Sequence, residues 1–211
     1  MEDFDVEQSI KITILGASRT GKTEFLSRFL NYHISEEYDP TIEERYKHYI
    51  NINEKNYELE ILDTSGDKDY SNMMDMWILF GEGFILLFDI TNKESFEYVK
   101  NKYNKIIKNK NKKEVPILLV GNIYDLKEKR QITFDDASDF AFSKKIEYIE
   151  ISGKNNLNCN KPFEIIAKEI LIARSGKYKE YKKNIKISNI SNMITERKEI
   201  NFHSLFKYID Y

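Results

Sequence analysis

Cysteine is almost absent from this chain of 211 residues: Cys159 is the only one, so no disulfide framework can form within it. That favours a reducing compartment. Charge of one sign is also missing. Thirty-three Lys and Arg stand against 35 Asp and Glu, a net charge of -2, too little to point to nucleic acid as the main partner. Long apolar runs are lacking too. Stretches such as Phe84–Phe88 and Val115–Val120 are far too short to span a bilayer. The opening Met1-Glu2-Asp3-Phe4-Asp5 is acidic, without the apolar region of a signal peptide. Together these absences predict a cytoplasmic protein, at most peripheral to a membrane. What the chain does have is 41% hydrophobic and 13% aromatic residues, enough for a sizeable core.

Along the chain, strand and helix signals alternate. Ile10–Leu15, Arg45–Ile52, Tyr57–Leu62, Phe84–Asp89, Val115–Gly121 and Ile146–Ile151 read as strands, and Asn53–Asn56 as the turn of a hairpin. Helices are expected over Lys22–Tyr32, Tyr70–Phe80, Glu94–Asn109, Thr133–Lys145 and Pro162–Arg174. Thr91-Asn92-Lys93-Glu94 has capping-box spacing at the start of the third. This alternation predicts an α/β fold: a mostly parallel six-stranded sheet with one antiparallel edge strand and helices on both faces. Ligands of such sheets sit at the carboxyl ends of the strands. After about Arg174 the composition turns to Lys, Asn and Ser. Residues 8–174 are therefore read as the domain and 175–211 as a tail. Phe202, Leu205, Phe206 and Ile209 recur in the tail at the spacing of a short amphipathic helix.

Gly16-Ala17-Ser18-Arg19-Thr20-Gly21-Lys22-Thr23 fits G-x-x-x-x-G-K-[ST] between a strand and a helix, the context a phosphate-binding P-loop requires. Backbone N–H groups of such a loop turn inward around phosphate oxygens, and the helix N-terminus adds positive potential. Lys22 would reach the β- and γ-phosphates, and the Thr23 hydroxyl would ligate Mg²⁺. Asp63-Thr64-Ser65-Gly66 ends another strand, with Asp63 placed to hold Mg²⁺ through water. Asn122-Ile123-Tyr124-Asp125 ends a third. A carboxylate such as Asp125 accepts from the N1–H and amino group of guanine, whereas adenine presents an acceptor at N1 and lacks that amino group.

With Tyr38-Asp39-Pro40-Thr41-Ile42-Glu43-Glu44, Gly81-Glu82-Gly83-Phe84 and Val120-Gly121-Asn122 added, roughly residues 8–174 resemble the Ras family of small GTPases. The resemblance implies a GTP/GDP-binding molecular switch that hydrolyses GTP. It assigns Thr41 to Mg²⁺ and the γ-phosphate, the Gly66 amide to the γ-phosphate, and Ser152-Gly153-Lys154 to a last base-binding loop. Residues 38–46, including Arg45 and Tyr46, would be the effector surface, and Ser65 to about Met76 a second switch. Effector proteins, an exchange factor and a GTPase-activating protein are the implied partners.

Several positions depart from the family pattern. Asp67 stands where the family has a Gln that orients the attacking water. A carboxylate there is shorter, charged and unable to donate, so slow hydrolysis is expected. Ser18 and Arg19 replace two glycines, and Ser18 would crowd the place of an inserted arginine finger. Ile123 replaces a Lys that packs along the base, and Ile34 a Phe edge-on to guanine; both changes predict weaker binding and faster exchange. No prenylation box ends the chain and residue 2 is Glu, so no lipidation motif is expected, and Lys177–Lys186 alone would hold a membrane weakly. The alternative function is a GTP-holding binding or scaffold module that barely hydrolyses.

Overall fold

In the computed structural model of the chain, residues 7–31, 42–111, 115–122, 128–153 and 155–183 are described. Six strands, β1 (Glu7–Leu15), β2 (Glu43–Ile52), β3 (Lys55–Thr64), β4 (Gly83–Asp89), β5 (Ile117–Asn122) and β6 (Glu147–Glu150), form one sheet in the order β2-β3-β1-β4-β5-β6. Only β2 and β3 pair antiparallel; every other neighbouring pair is parallel. The expected sheet, with its single antiparallel edge strand, is the one observed.

Period-two alternation decides which side chains go to which face. From β1, Ile10, Ile12 and Ile14 enter a cluster with Phe25 and Phe29 of α1 (Lys22–Leu30) and Phe163, Ile166 and Ile170 of α5 (Lys161–Arg174). Phe163 stacks on both α1 rings, with centroids 4.9 and 3.9 Å away. Leu15 enters the opposite cluster, with Trp77 and Ile78 of α2 (Met74–Phe80), Phe96, Val99 and Ile106 of α3 (Lys93–Lys110), and Ala137 and Ala141 of α4 (Phe134–Lys144). β4, in the middle, is buried on both faces from Gly83 to Phe88, as a parallel strand covered by two helical layers must be.

Local chemistry moves three expected boundaries. The hairpin turn is two residues long, because Asn53 (φ 51) and Glu54 (φ 64) both take the left-handed conformation of a tight turn. Lys55 and Asn56 already pair with Ile52 and Asn51. The helix expected over Tyr70–Phe80 is a 3-10 turn, Lys68–Met73, followed by α2. The N-cap of α3 is Asn92 rather than Thr91. Its side chain accepts from Glu94 and Ser95, while the Thr91 hydroxyl donates to Asp89 at 2.7 Å.

Residues 178–183, within the stretch set apart by composition, are helical and pack on the domain. Tyr178 and Tyr181 are buried, and Lys182 donates to Glu169 of α5 at 2.7 Å. The remainder of the tail, 184–211, with the Phe202–Ile209 pattern, lies outside the described residues.

Candidate functional site

β1 stops at Leu15 and the chain turns into the loop that precedes α1. Left-handed backbone at Arg19 (φ 61) and Gly21 (φ 82) makes the turn. Gly21 is needed twice over: its φ is positive, and a Cβ there would stand 2.5 Å from the Asn122 amide nitrogen. The Thr20 hydroxyl closes the loop by donating to the Ala17 carbonyl at 2.9 Å. Ser18 and Arg19 are exposed on its outer side.

Lys22 folds back over the loop and donates to the carbonyls of Gly16 (3.0 Å) and Ala17 (2.9 Å). Burial brings its pKa down from 10.5 to about 8, although the Asp63 carboxylate pulls it the other way. The ammonium is thus held in a largely desolvated position by weak, neutral acceptors. A phosphate oxygen would be a far better partner.

Asp63, near the end of β3, is fully buried. Its Oδ2 accepts from the Thr23 hydroxyl at 2.6 Å, and its Oδ1 has no hydrogen-bond partner among the described residues. Burial raises its pKa against the opposing pull of Thr23 and Lys22. A hydroxyl and a carboxylate oxygen, both hard donors, with one carboxylate oxygen to spare, suit a Mg²⁺ ion held partly through water. The chemistry of these two residues therefore fits the metal.

Gly66 lies against the loop. A Cβ at this position would be 2.2 Å from the Ala17 carbonyl carbon and the Ser18 nitrogen, so no other residue lets the two backbones come so close. Thr64 is anchored behind it by donating to the Ile14 carbonyl, and the Ser65 amide donates to the Ile42 carbonyl at 2.9 Å. Asp67 is exposed, and its side chain accepts from the Asp69 amide at 3.2 Å, capping the 3-10 turn.

On the other side, Asn122 at the end of β5 joins two loops. Its amide donates to the Thr20 carbonyl at 2.9 Å and its oxygen accepts from the Gly153 amide at 3.2 Å. Ser152, fully buried, holds the following turn through paired backbone bonds with Leu157 and a side-chain bond from the Asn155 amide. Cys159 lies beneath, its thiol pushed up to about 11 by burial and so unreactive.

The structure thus brings together residues 16–23, 63–67, Asn122, Ser152 and Gly153 at the carboxyl ends of β1, β3, β5 and β6. Of the expected effector segment, Ile42–Tyr46 is described: Ile42 is exposed and Glu43–Tyr46 open β2. Ile34, Tyr38, Asp39, Pro40, Thr41, Ile123, Tyr124, Asp125 and Lys154 lie outside the described residues.

Two ties around the site have no motif. Trp77 of α2, otherwise buried, donates from Nε1 to Glu43 at 2.8 Å, linking the helix after Gly66 to the start of β2. Arg130 forms a two-pronged pair with Glu150 at 2.8 and 2.7 Å, and Tyr148 donates to the same carboxylate at 2.6 Å. That pair fixes β6 just before Ser152. The only sequence signal for the first was the single Trp, and for the second there was none.

Comparison with known proteins adds the following. The family model described as the Ras family matches residues 11–172. The chain is 36% identical over 182 residues to "Ras-like protein rasB" of Dictyostelium discoideum, covering 85% of this chain and 92% of that protein. To "Ras-like protein RAS2" of Hydra vulgaris it is 31% identical over 182 residues, 86% of this chain and 95% of that protein. To "Ras-like protein rasV" of Dictyostelium discoideum it is 37% identical over 154 residues, 73% and 67% respectively.

Proposed function

The chain belongs to the Ras family of GTP-binding signalling GTPases, and on that premise we propose that it is a Mg²⁺-dependent switch that hydrolyses GTP slowly and dwells in the GTP state. The observation that carries the reading is the Thr23–Asp63 pair beside the buried Lys22. Phosphate would exchange for the Gly16 and Ala17 carbonyls on Lys22, and loop amides would take the remaining oxygens. Bound Mg²⁺ would supply positive charge to the β- and γ-phosphates. Thr41 and Gly66 would read the γ-phosphate, ordering 38–46 and 65–76 for effector proteins. Asn122 would brace the base loops, in which Asp125, Gly153 and Lys154 would recognise guanine.

In hydrolysis a water oxygen bonds to the γ-phosphorus as the bond to the β–γ bridging oxygen breaks. GDP and inorganic phosphate leave, and the water's proton ends on phosphate or solvent. Positioning and charge stabilisation do most of the work in such transfers. Asp67 offers little to the water: it cannot donate, and its carboxylate is engaged in capping the 3-10 turn. That same engagement favours the second reading, a GTP-holding module that recruits partners with little turnover. Exchange factors and activating proteins are proposed as further partners, and the cytoplasmic face of a membrane as a place of action. No described helix is long and apolar enough to cross a membrane.

Single-turnover hydrolysis of pre-loaded GTP tests the proposal. A slow but measurable rate that rises in Asp67→Gln supports the switch. An inert parent that Asp67→Gln revives supports the recruiting module. An ordinary rate, unchanged by the substitution, would remove the slow timer.

A further inference from the structure

The segment 178–183 does more than cover apolar surface, because its docking builds one wall of a second cleft. The docking is polar and buried. Tyr178 donates to Glu169 at 2.7 Å and lies within 3.2 Å of the Val115 carbonyl, Tyr181 donates to Glu147 at 2.6 Å, and Lys182 donates to Glu169 at 2.7 Å. This network ties the segment to α5 and β6, and undocking would leave the buried Glu169 without its cation.

Between this segment, α3 and the junction of α4 with β6 lies a cavity of about 210 Å³. Tyr103 and Tyr178 give it aromatic walls, and Lys144, Lys145, Lys179 and Lys183 stand around it. Lys182 also borders it, but its ammonium is turned inward to Glu169. The other four are exposed, and among the described residues none forms an ion pair. Lys144 rests over the rings of Tyr103 and Phe140 at 5.6 and 5.9 Å, with no carboxylate beside it. Among the described residues no carboxylate lines the cleft: Glu169 is engaged by Tyr178 and Lys182, and Glu147 accepts from Tyr181 through one oxygen while its other has no hydrogen-bond partner among them.

Four ammonium groups of one sign around one concave, partly apolar cavity repel one another and focus positive potential into it. The group that relieves this repulsion is an anion with several charges close together. Lysine serves phosphate well in that role, as a mobile point charge. We propose that this cleft is a second ligand site, distinct from the nucleotide site, for a molecule carrying two or more phosphate groups, either the headgroup of a phosphorylated lipid or a soluble polyphosphate. Because docking of 178–183 forms the wall, occupancy stabilises the docked segment.

The test uses the full chain saturated with GDP and Mg²⁺, so that the P-loop does not compete. Inositol hexakisphosphate is titrated calorimetrically into the parent, the pocket variant Lys179→Gln/Lys183→Gln and the control Lys93→Gln/Lys129→Gln, which loses the same charge elsewhere. In parallel, the three proteins are sedimented with phosphatidylcholine vesicles with and without phosphatidylinositol bisphosphate. The expected result is salt-sensitive binding by the parent, about tenfold weaker in the pocket variant, the loss of two ionic contacts of surface strength, and unchanged in the control. That pattern with the soluble probe assigns a soluble polyphosphate. The same pattern confined to vesicles containing the bisphosphate assigns the lipid. Equal weakening of both variants, or no binding in either arm, would overturn the proposal.

Discussion

The Thr23 hydroxyl donates to one oxygen of Asp63 at 2.6 Å, while the other oxygen of that fully buried carboxylate has no hydrogen-bond partner among the described residues. Burying a carboxylate so incompletely satisfied is costly in the absence of a cation. Asp63→Asn is therefore expected to remove most of the Mg²⁺ dependence of nucleotide retention. In the parent, chelation by EDTA should speed GDP release by about tenfold or more, a difference of over 1.4 kcal/mol. In the variant, release should be fast with or without EDTA. Equal EDTA sensitivity in both would disprove this role for Asp63.

Asn122 spans two loops with one side chain, donating to Thr20 and accepting from Gly153. Asn122→Ala leaves a buried carbonyl and a buried amide without partners, at a cost of about 1–3 kcal/mol for each group that water cannot reach. GDP release should accelerate by about tenfold or more, and the melting temperature of the GDP form should fall. An unchanged release rate would mean that the loops hold their places without this bridge.

Asp67 combines two properties that substitution can separate. Asn is as good a cap as Asp, so Asp67→Asn keeps the 3-10 turn while removing the side-chain charge. If the carboxylate charge hinders hydrolysis, as the proposed function holds, Asp67→Asn should hydrolyse GTP faster than the parent. Asp67→Ala loses the cap and should raise hydrogen exchange at the Asp69 amide, at a cost of about 0.5–2 kcal/mol. Identical exchange in the parent and Asp67→Ala would show that the turn does not depend on this residue.

The mostly parallel sheet and its one antiparallel edge follow from features legible in the chain: alternating apolar strands, one hairpin, and a P-loop that must join a strand to a helix. What was not legible lay where two residues compete for one role. Thr91 and Asn92 are both good caps, and Asp89 decides by engaging Thr91. The 3-10 start before α2 depends on a cap by Asp67 that no periodicity signals. The docking of residues 178–183 had one trace in the sequence, Glu169 within the apolar face of α5. That acid needs a partner, and it comes from beyond the end of the helix. The base-recognition roles proposed for Asp125 and Lys154 rest on motif and family resemblance alone.

The buried network holds a pH signature. Burial and the neighbouring Glu169 raise the Glu147 carboxyl above its ordinary 4.5, against the pull of Tyr181 and Lys182. A carboxyl raised in the folded state holds more protons than the unfolded chain between 4.5 and its folded value, so stability falls as pH rises through that window. Glu147→Gln keeps an oxygen for Tyr181 and removes the titration. Thermal melts across the acidic range should show a shallower loss of stability with rising pH in the variant than in the parent. Parallel profiles would show that Glu147 titrates alike in both states.

The link from Trp77 to Glu43 gives the protein a built-in optical probe. Trp77 is the only tryptophan in the sequence, and its indole N–H lies between the helix after Gly66 and the first residue of β2. A rearrangement that parts these two elements would move the indole from a charged acceptor toward water, shifting both the wavelength and the yield of its emission. Loading and release of unmodified nucleotide can then be followed on the unlabelled chain, from one ring.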